Sequence, residues 1–156
     1  TKCIAACRTS KPGWQSKKMI RRAVRADIPT LFRDGVWFSE NVELPGGFDP
    51  DVFQETLNDH IDSPHFLFLI GEAGSFAAVF CPSWYGHGET SQEMWLRSER
   101  GEAAAFIAAW EDECRQRGTC AMAATTQKKH RGDRVGRLLF ERVGFDQREN
   151  LYIKDL

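Results

Sequence analysis

Residues 91–118 read SQEMWLRSERGEAAAFIAAWEDECRQRG. Gln92 to Leu96 has the character of a strand and Arg97 to Gly101 that of a polar turn. Ala103, Phe106, Ile107, Trp110 and Cys114 then recur at helical spacing until Gly118 stops the run. A strand therefore meets the start of a helix across a glycine. Backbone N–H groups in the first turn of a helix have no partner within it, and the helix dipole adds partial positive charge there, so this junction suits a phosphate. The same residues also fit a plain strand–turn–helix unit whose small side chains only permit close packing.

The run S-E-R-G-E-A, Ser98 to Ala103, resembles the Q/R-x-x-G-x-G/A pyrophosphate loop of the GNAT superfamily of N-acetyltransferases. Gly101 and Ala103 take the small-residue positions, and Ser98 stands where the family usually has Gln or Arg. A frame beginning at Arg100, with Ala103 and Ala105 as the small residues, leaves the helix to Gly118 shorter than the family's. Two other segments carry the resemblance. I-R-R-A-x-x-A-D-I-P, Ile20 to Pro29, is similar to the first strand and helix of that fold. Asp133 to Phe145 resembles N-x-x-A-x-x-L-Y-E-K-x-G-F, agreeing at Leu139, Glu141, Arg142, Gly144 and Phe145 with Gly136 in the small position. Leu151 to Leu156 is like the strand with which many members end. The resemblance covers Met19 to Leu156 in order, and in style it is most similar to the short GNAT proteins of tailed bacteriophages.

Composition sets the outer bounds. A chain of 156 residues is one domain's worth, and 42% hydrophobic with 28% charged residues is ordinary for a globular protein. A net charge of −1 supplies no basic field for nucleic acid. The longest apolar run, Phe66 to Ile70, is too short to span a bilayer, and the start lacks the order of a signal peptide. The expectation is a soluble cytoplasmic protein, of a host cell or associated with a virion if phage-encoded. Five cysteines without C-x-x-C spacing suggest reduced thiols, with Cys81, Cys114 and Cys120 buried, and no zinc site.

Thr1 to Lys18 is polar, carries five Lys or Arg residues and contains Pro12-Gly13, so it reads as an extension outside a single domain over 19–156. It could pack on its own domain through Trp14 or mediate a homo-oligomer or larger assembly. In the domain, Met19 to Val24 is a strand, and Asp27 is placed to cap a helix with Pro29 in its first turn. Pro45-Gly46-Gly47 breaks the chain and Asp49-Pro50 restarts it, with Phe53, Leu57, His60 and Ile61 at helical spacing. His65 to Gly71 and Ser75 to Phe80 form a hairpin across Glu72-Ala73-Gly74, and Thr119 to Thr125 adds a strand. The fold expected is α+β (α/β/α), with a GNAT-like mixed, mostly antiparallel central sheet and about four helices.

The resemblance implies a site. Acetyl-CoA would lie where the central strand splays from the next. The backbone of Trp95 and Leu96 would pair with pantetheine, and the loop from Ser98 through Arg100, Gly101, Glu102, Ala103 and Ala104 would receive the pyrophosphate. Lys128 to Arg131 could reach the 3′-phosphate or be a solvated charge run. Trp37, Phe38 and Phe48 could line an acceptor pocket or pack in the core. Glu93 stands where some members carry a base, with Glu89, His87 and Tyr85 as further candidates, whereas Phe140 replaces the tyrosine that serves as acid and has no proton to give. Two readings follow. One is an acetyl-CoA-dependent N-acetyltransferase acting on a primary amine. The other is a structural or binding protein with a degenerate cofactor site, such as a phage virion component.

Overall fold

The computed structural model describes residues 19–146, apart from Glu43, Pro45, Trp84, Tyr85, Arg100 and residues 126–132. The extension 1–18, the basic run at 128–131 and the strand expected over 151–156 lie outside the described residues. The elements are β1 (Arg21–Arg22), a 3-10 turn (Arg25–Asp27), α1 (Ile28–Asn41), α2 (Pro50–His60), β2 (Phe66–Ile70), β3 (Gly74–Pro82), β4 (Glu89–Ser98), α3 (Ala103–Arg117), β5 (Ala121–Ala123) and α4 (Asp133–Arg142). The sheet order is β1-β2-β3-β4-β5; the first four strands are antiparallel neighbours and β5 runs parallel to β4. This is the mixed, mostly antiparallel sheet with four helices that the sequence led us to expect.

Strand side chains alternate between faces, and here both faces are covered. On one, Ile28 and Leu31 of α1 and Leu57 of α2 pack with Phe68, Ile70, Ala77 and Trp95. On the other, Phe106, Trp110 and Cys114 of α3 pack with Leu67, Leu69, Phe76, Ala78 and Phe80, and Phe145 joins them after α4. Double burial explains why Phe66 to Ile70 is continuously apolar. Each core also holds one indole with its N–H satisfied: Trp95 Nε1 donates to Ser75 Oγ at 3.1 Å, and Trp110 Nε1 donates to Ser91 Oγ at 2.8 Å.

Several local expectations need correction. Asp27 does not cap α1; its carboxylate accepts from Val24 N–H and the Arg21 guanidinium, so it holds the 3-10 turn against β1. The first strand is two residues long, and β5 covers only part of Thr119 to Thr125. Strand β4 is longer than its own residues suggest: Arg97 and Ser98, expected in the turn, pair with Ser75 and Gly74 because β3 extends alongside them. Cys120 is exposed, its thiol donating to the Glu89 carbonyl, while Cys81 and Cys114 are half-buried and buried. Asp49 does cap α2, accepting from Asp51 N–H and Val52 N–H, and Gly118 closes α3 in the left-handed region at φ 72°.

Trp110 is fully buried. Trp110→Ala removes that packing and leaves Ser91 Oγ without its donor, so urea unfolding should show a loss of about 3–5 kcal/mol.

Candidate active site

The site begins with a fault in the sheet. Ala77 stands opposite Trp95 and Ala78 opposite Glu93, so Met94 is an extra residue on β4, a β-bulge. A regular strand would place Glu93 and Trp95 on one face. With the bulge, Trp95 packs into the α1/α2 core, and Glu93 faces with Ser91 toward α3. On its other edge β4 pairs with β5 only at Thr90, Ser91 and Gln92. From Glu93 to Ser98 that edge carries no strand among the described residues. The two strands thus part at the residue that the family resemblance marks as a base.

Glu93 is 7% exposed. Its Oε2 accepts a long hydrogen bond, 3.4 Å, from Thr125 N–H just beyond β5. Loss of water around the carboxyl pushes its pKa from 4.5 up to about 7, and the contacts with Thr125 oppose this in part. A carboxyl poised near neutrality on a strand edge can accept a proton from a substrate and return it to solvent.

The far end of the parted edge leads into α3. Gly101 adopts φ 71°, a conformation that favours glycine, and turns the chain into the helix. Glu102 occupies the N-cap position but makes no side-chain cap. Its carboxylate turns away and accepts from Glu72 N–H at 3.1 Å and Ala73 N–H at 3.0 Å. No N-cap side chain therefore occupies the first-turn N–H groups of α3, in contrast to α2, and these groups are what a pyrophosphate requires.

The structure gathers some of the expected site residues and separates others. Trp95 and Leu96 present backbone on the free edge while Trp95's indole lies in the core. Ser98 closes the ladder opposite Gly74, Ala103 is half-buried and Ala104 exposed at the start of α3, and Arg100 lies outside the described residues. Arg117 holds Glu89 through two hydrogen bonds at 2.9 and 2.8 Å and lowers its pKa, the opposite of the shift at Glu93. His87 is exposed, and Tyr85 is outside the described residues. Phe140 packs 5.3 Å from Phe145. Phe48 packs at a tilt against Phe53, Phe38 borders the α1/α2 core, and Trp37 lies under the Arg97 guanidinium. Among the described residues no cluster could hold a metal ion, and no helix is long and apolar enough to cross a membrane.

Sequence reasoning missed the ion pair between Arg97 and Asp34, 2.7 Å apart with Asp34 only 1% exposed, which ties α1 to the end of β4. An aspartate in the middle of an otherwise amphipathic helix was its only signal. A cavity of about 470 Å³ lies beside this pair, lined by Thr30, Arg33, Glu99 and the turn Gly71–Gly74, and does not include Glu93.

No family model matches the chain, and no curated protein matches its sequence. Solved structures do match. A protein of Arthrobacter sp. FB24 described as an acetyltransferase superposes with TM-score 0.73 at 19% identity, over 91% of this chain and 98% of that one. A predicted acetyltransferase from Clostridium acetobutylicum, crystallised with acetyl-CoA, gives TM-score 0.67 at 20% identity, over 87% and 95%. A ribosomal-protein-alanine N-acetyltransferase from Brucella melitensis biovar Abortus 2308 gives 0.67 at 16%, over 88% and 98%. At these identities the likeness is one of fold, and it spans nearly the whole of each protein.

The Glu93 environment has a thermodynamic signature. Below pH 4.5 the carboxyl is protonated in folded and unfolded chains alike, and burial of its charge costs nothing. As pH rises from about 4.5 to about 7 the unfolded chain ionises first, so stability falls by about 3 kcal/mol. Glu93→Gln should remove this fall, and urea unfolding at pH 5 and pH 8 should show the variant gaining on the wild type by about 2.5 kcal/mol, since a part of the fall is complete by pH 5. Parallel losses in both proteins would show that Glu93 ionises normally.

Proposed function

We propose that the chain is an acetyl-CoA-dependent N-acetyltransferase acting on a primary amine of a small molecule, peptide or protein. The observation that carries this reading is the buried Glu93 carboxyl at the point where β4 parts from β5. The uncapped start of α3 and the GNAT-like fold support it, as does the acetyl-CoA held by one fold neighbour.

Acetyl-CoA supplies an activated acetyl group as a thioester. The β4 edge at Trp95 and Leu96 would offer backbone groups to the pantetheine arm, and the N–H groups at the start of α3, Gly101 to Ala104, would hold the pyrophosphate. An amine arrives as an ammonium and is not nucleophilic until it loses a proton. Glu93 in its ionised form takes that proton, directly or through a water, and the freed nitrogen attacks the thioester carbon. A C–N bond forms, the C–S bond breaks and the thiolate takes a proton from solvent, because Phe140 has none to give. The alternative, a binding or structural protein such as a phage virion component, has Ser98 and Phe140 as its observations.

Calorimetric titration separates the two. The enzyme reading expects micromolar or tighter acetyl-CoA binding, on the order of −8 kcal/mol, with Gly101→Glu abolishing it by filling the pyrophosphate position. A folded sample that binds neither acetyl-CoA nor CoA favours the structural reading. With an acceptor in hand, kcat/KM should rise about tenfold per pH unit below about pH 7 and level off above it, since the base must be ionised. Glu93→Gln should lower the rate by roughly 10²–10⁴-fold and erase that inflection; a variant with wild-type rate and pH profile would remove Glu93 from the mechanism.

A further inference from the structure

Between β2 and β3 the chain turns through Gly71, Glu72, Ala73 and Gly74, and this turn is stitched to the segment that enters α3. Glu102 Oε1 accepts from Glu72 N–H at 3.1 Å and Oε2 from Ala73 N–H at 3.0 Å. Glu99 N–H donates to the Ala73 carbonyl at 2.9 Å, and Gly74 lies opposite Ser98 in the ladder. Two glycines make the close approach possible. A Cβ on Gly71 would stand 2.7 Å from Glu102 Oε2, and one on Gly74 would collide with the Arg97 carbonyl.

The placement of Glu102 is costly unless it does something. Its carboxylate is 1% exposed, so it must be satisfied by hydrogen bonds, and the two turn amides do this. An acidic side chain at an N-cap ordinarily bonds to the first-turn amides of its own helix. Here it bonds elsewhere and leaves them to a ligand. Its negative charge also sits at the end of the helix that would bind an anion, where it opposes affinity. What it supplies in exchange is position.

We propose that Glu102 is a positioning residue for the pyrophosphate of acetyl-CoA: it latches the first turn of α3 to the Gly71–Gly74 turn and so fixes the direction in which the free N–H groups point. This rests on the acetyltransferase reading. The latch would act on the pyrophosphate alone, because on that reading the pantetheine arm would be held by the backbone of β4.

The test compares two ligands on three proteins. Wild type, Glu102→Gln and Gly71→Ala are titrated by calorimetry with acetyl-CoA and with S-acetylpantetheine, which lacks the pyrophosphate. Glu102→Gln sets an amide donor against a backbone donor; Gly71→Ala disturbs the same carboxylate while keeping its charge. The latch requires both variants to weaken acetyl-CoA by about tenfold, the value of roughly one hydrogen bond, and to leave S-acetylpantetheine unchanged. Unchanged or tighter acetyl-CoA binding by the variants overturns it, and so does an equal loss for both ligands, which would mark a general scaffold role. Hydrogen exchange on the wild type tests the idea without any variant: the Glu72 and Ala73 amides should gain protection with acetyl-CoA and not with S-acetylpantetheine. Equal protection with both overturns the latch. A wild type that does not bind acetyl-CoA brings down the acetyltransferase reading itself, whereas a binding wild type with unaffected variants leaves that reading standing and removes the latch.

Discussion

Strand β4 must serve two cores that lie on opposite faces of one sheet, and a strand with strict alternation cannot deliver both Trp95 and Glu93 to where they are found. The extra residue at Met94 resolves the conflict. It lets the indole of Trp95 fill the space under α1 and α2 while the preceding carboxyl turns toward α3. The same irregularity coincides with the end of the β4–β5 ladder at Gln92. The packing of the hydrophobic core and the opening of the sheet therefore share one cause: a change in strand phase at one residue.

Among the described residues three buried acidic side chains divide the work of this half of the molecule, and each meets the cost of burial differently. Asp34 faces the guanidinium of Arg97 from β4 and that of its neighbour Arg33, both on Oδ1. Glu102 is held by two backbone amides of a turn. Glu93 meets Thr125 alone among the described residues, at a long 3.4 Å from its N–H, and meets the cost of burial by remaining largely protonated to near neutrality. The first two arrangements fix geometry, since a paired charge resists displacement. The third leaves a proton exchangeable, which is the property chemistry needs. The difference is set by the number of donors within reach.

Much of this was legible in the residues. The helical stripe Phe106, Ile107, Trp110 and Cys114 identified the face of α3, and Asp49-Pro50 marked the start of α2, because local spacing and capping chemistry decide both. Glu93 was named from the family pattern, but a surface carboxylate on a strand face fitted the sequence as well. Its burial depends on the bulge, which depends on how Ala77 and Ala78 meet β4 across the sheet. Glu102 was read as one backbone amide in a loop. Its carboxylate's partners lie some thirty positions earlier, at Glu72 and Ala73, and no local rule relates them. The Asp27 cap failed for a similar reason: Arg21 offered the carboxylate a stronger partner than the helix did.

An opening inside a sheet is also an exposed strand edge, and such edges template pairing with other chains. Among the described residues, β4 from Glu93 to Ser98 presents such an edge beside β5 rather than at the border of the sheet. The bulge at Met94 breaks the regular repeat of N–H and C=O groups that an invading strand would have to match. A change of strand phase at Met94 is thus also a change in what this edge offers to another strand.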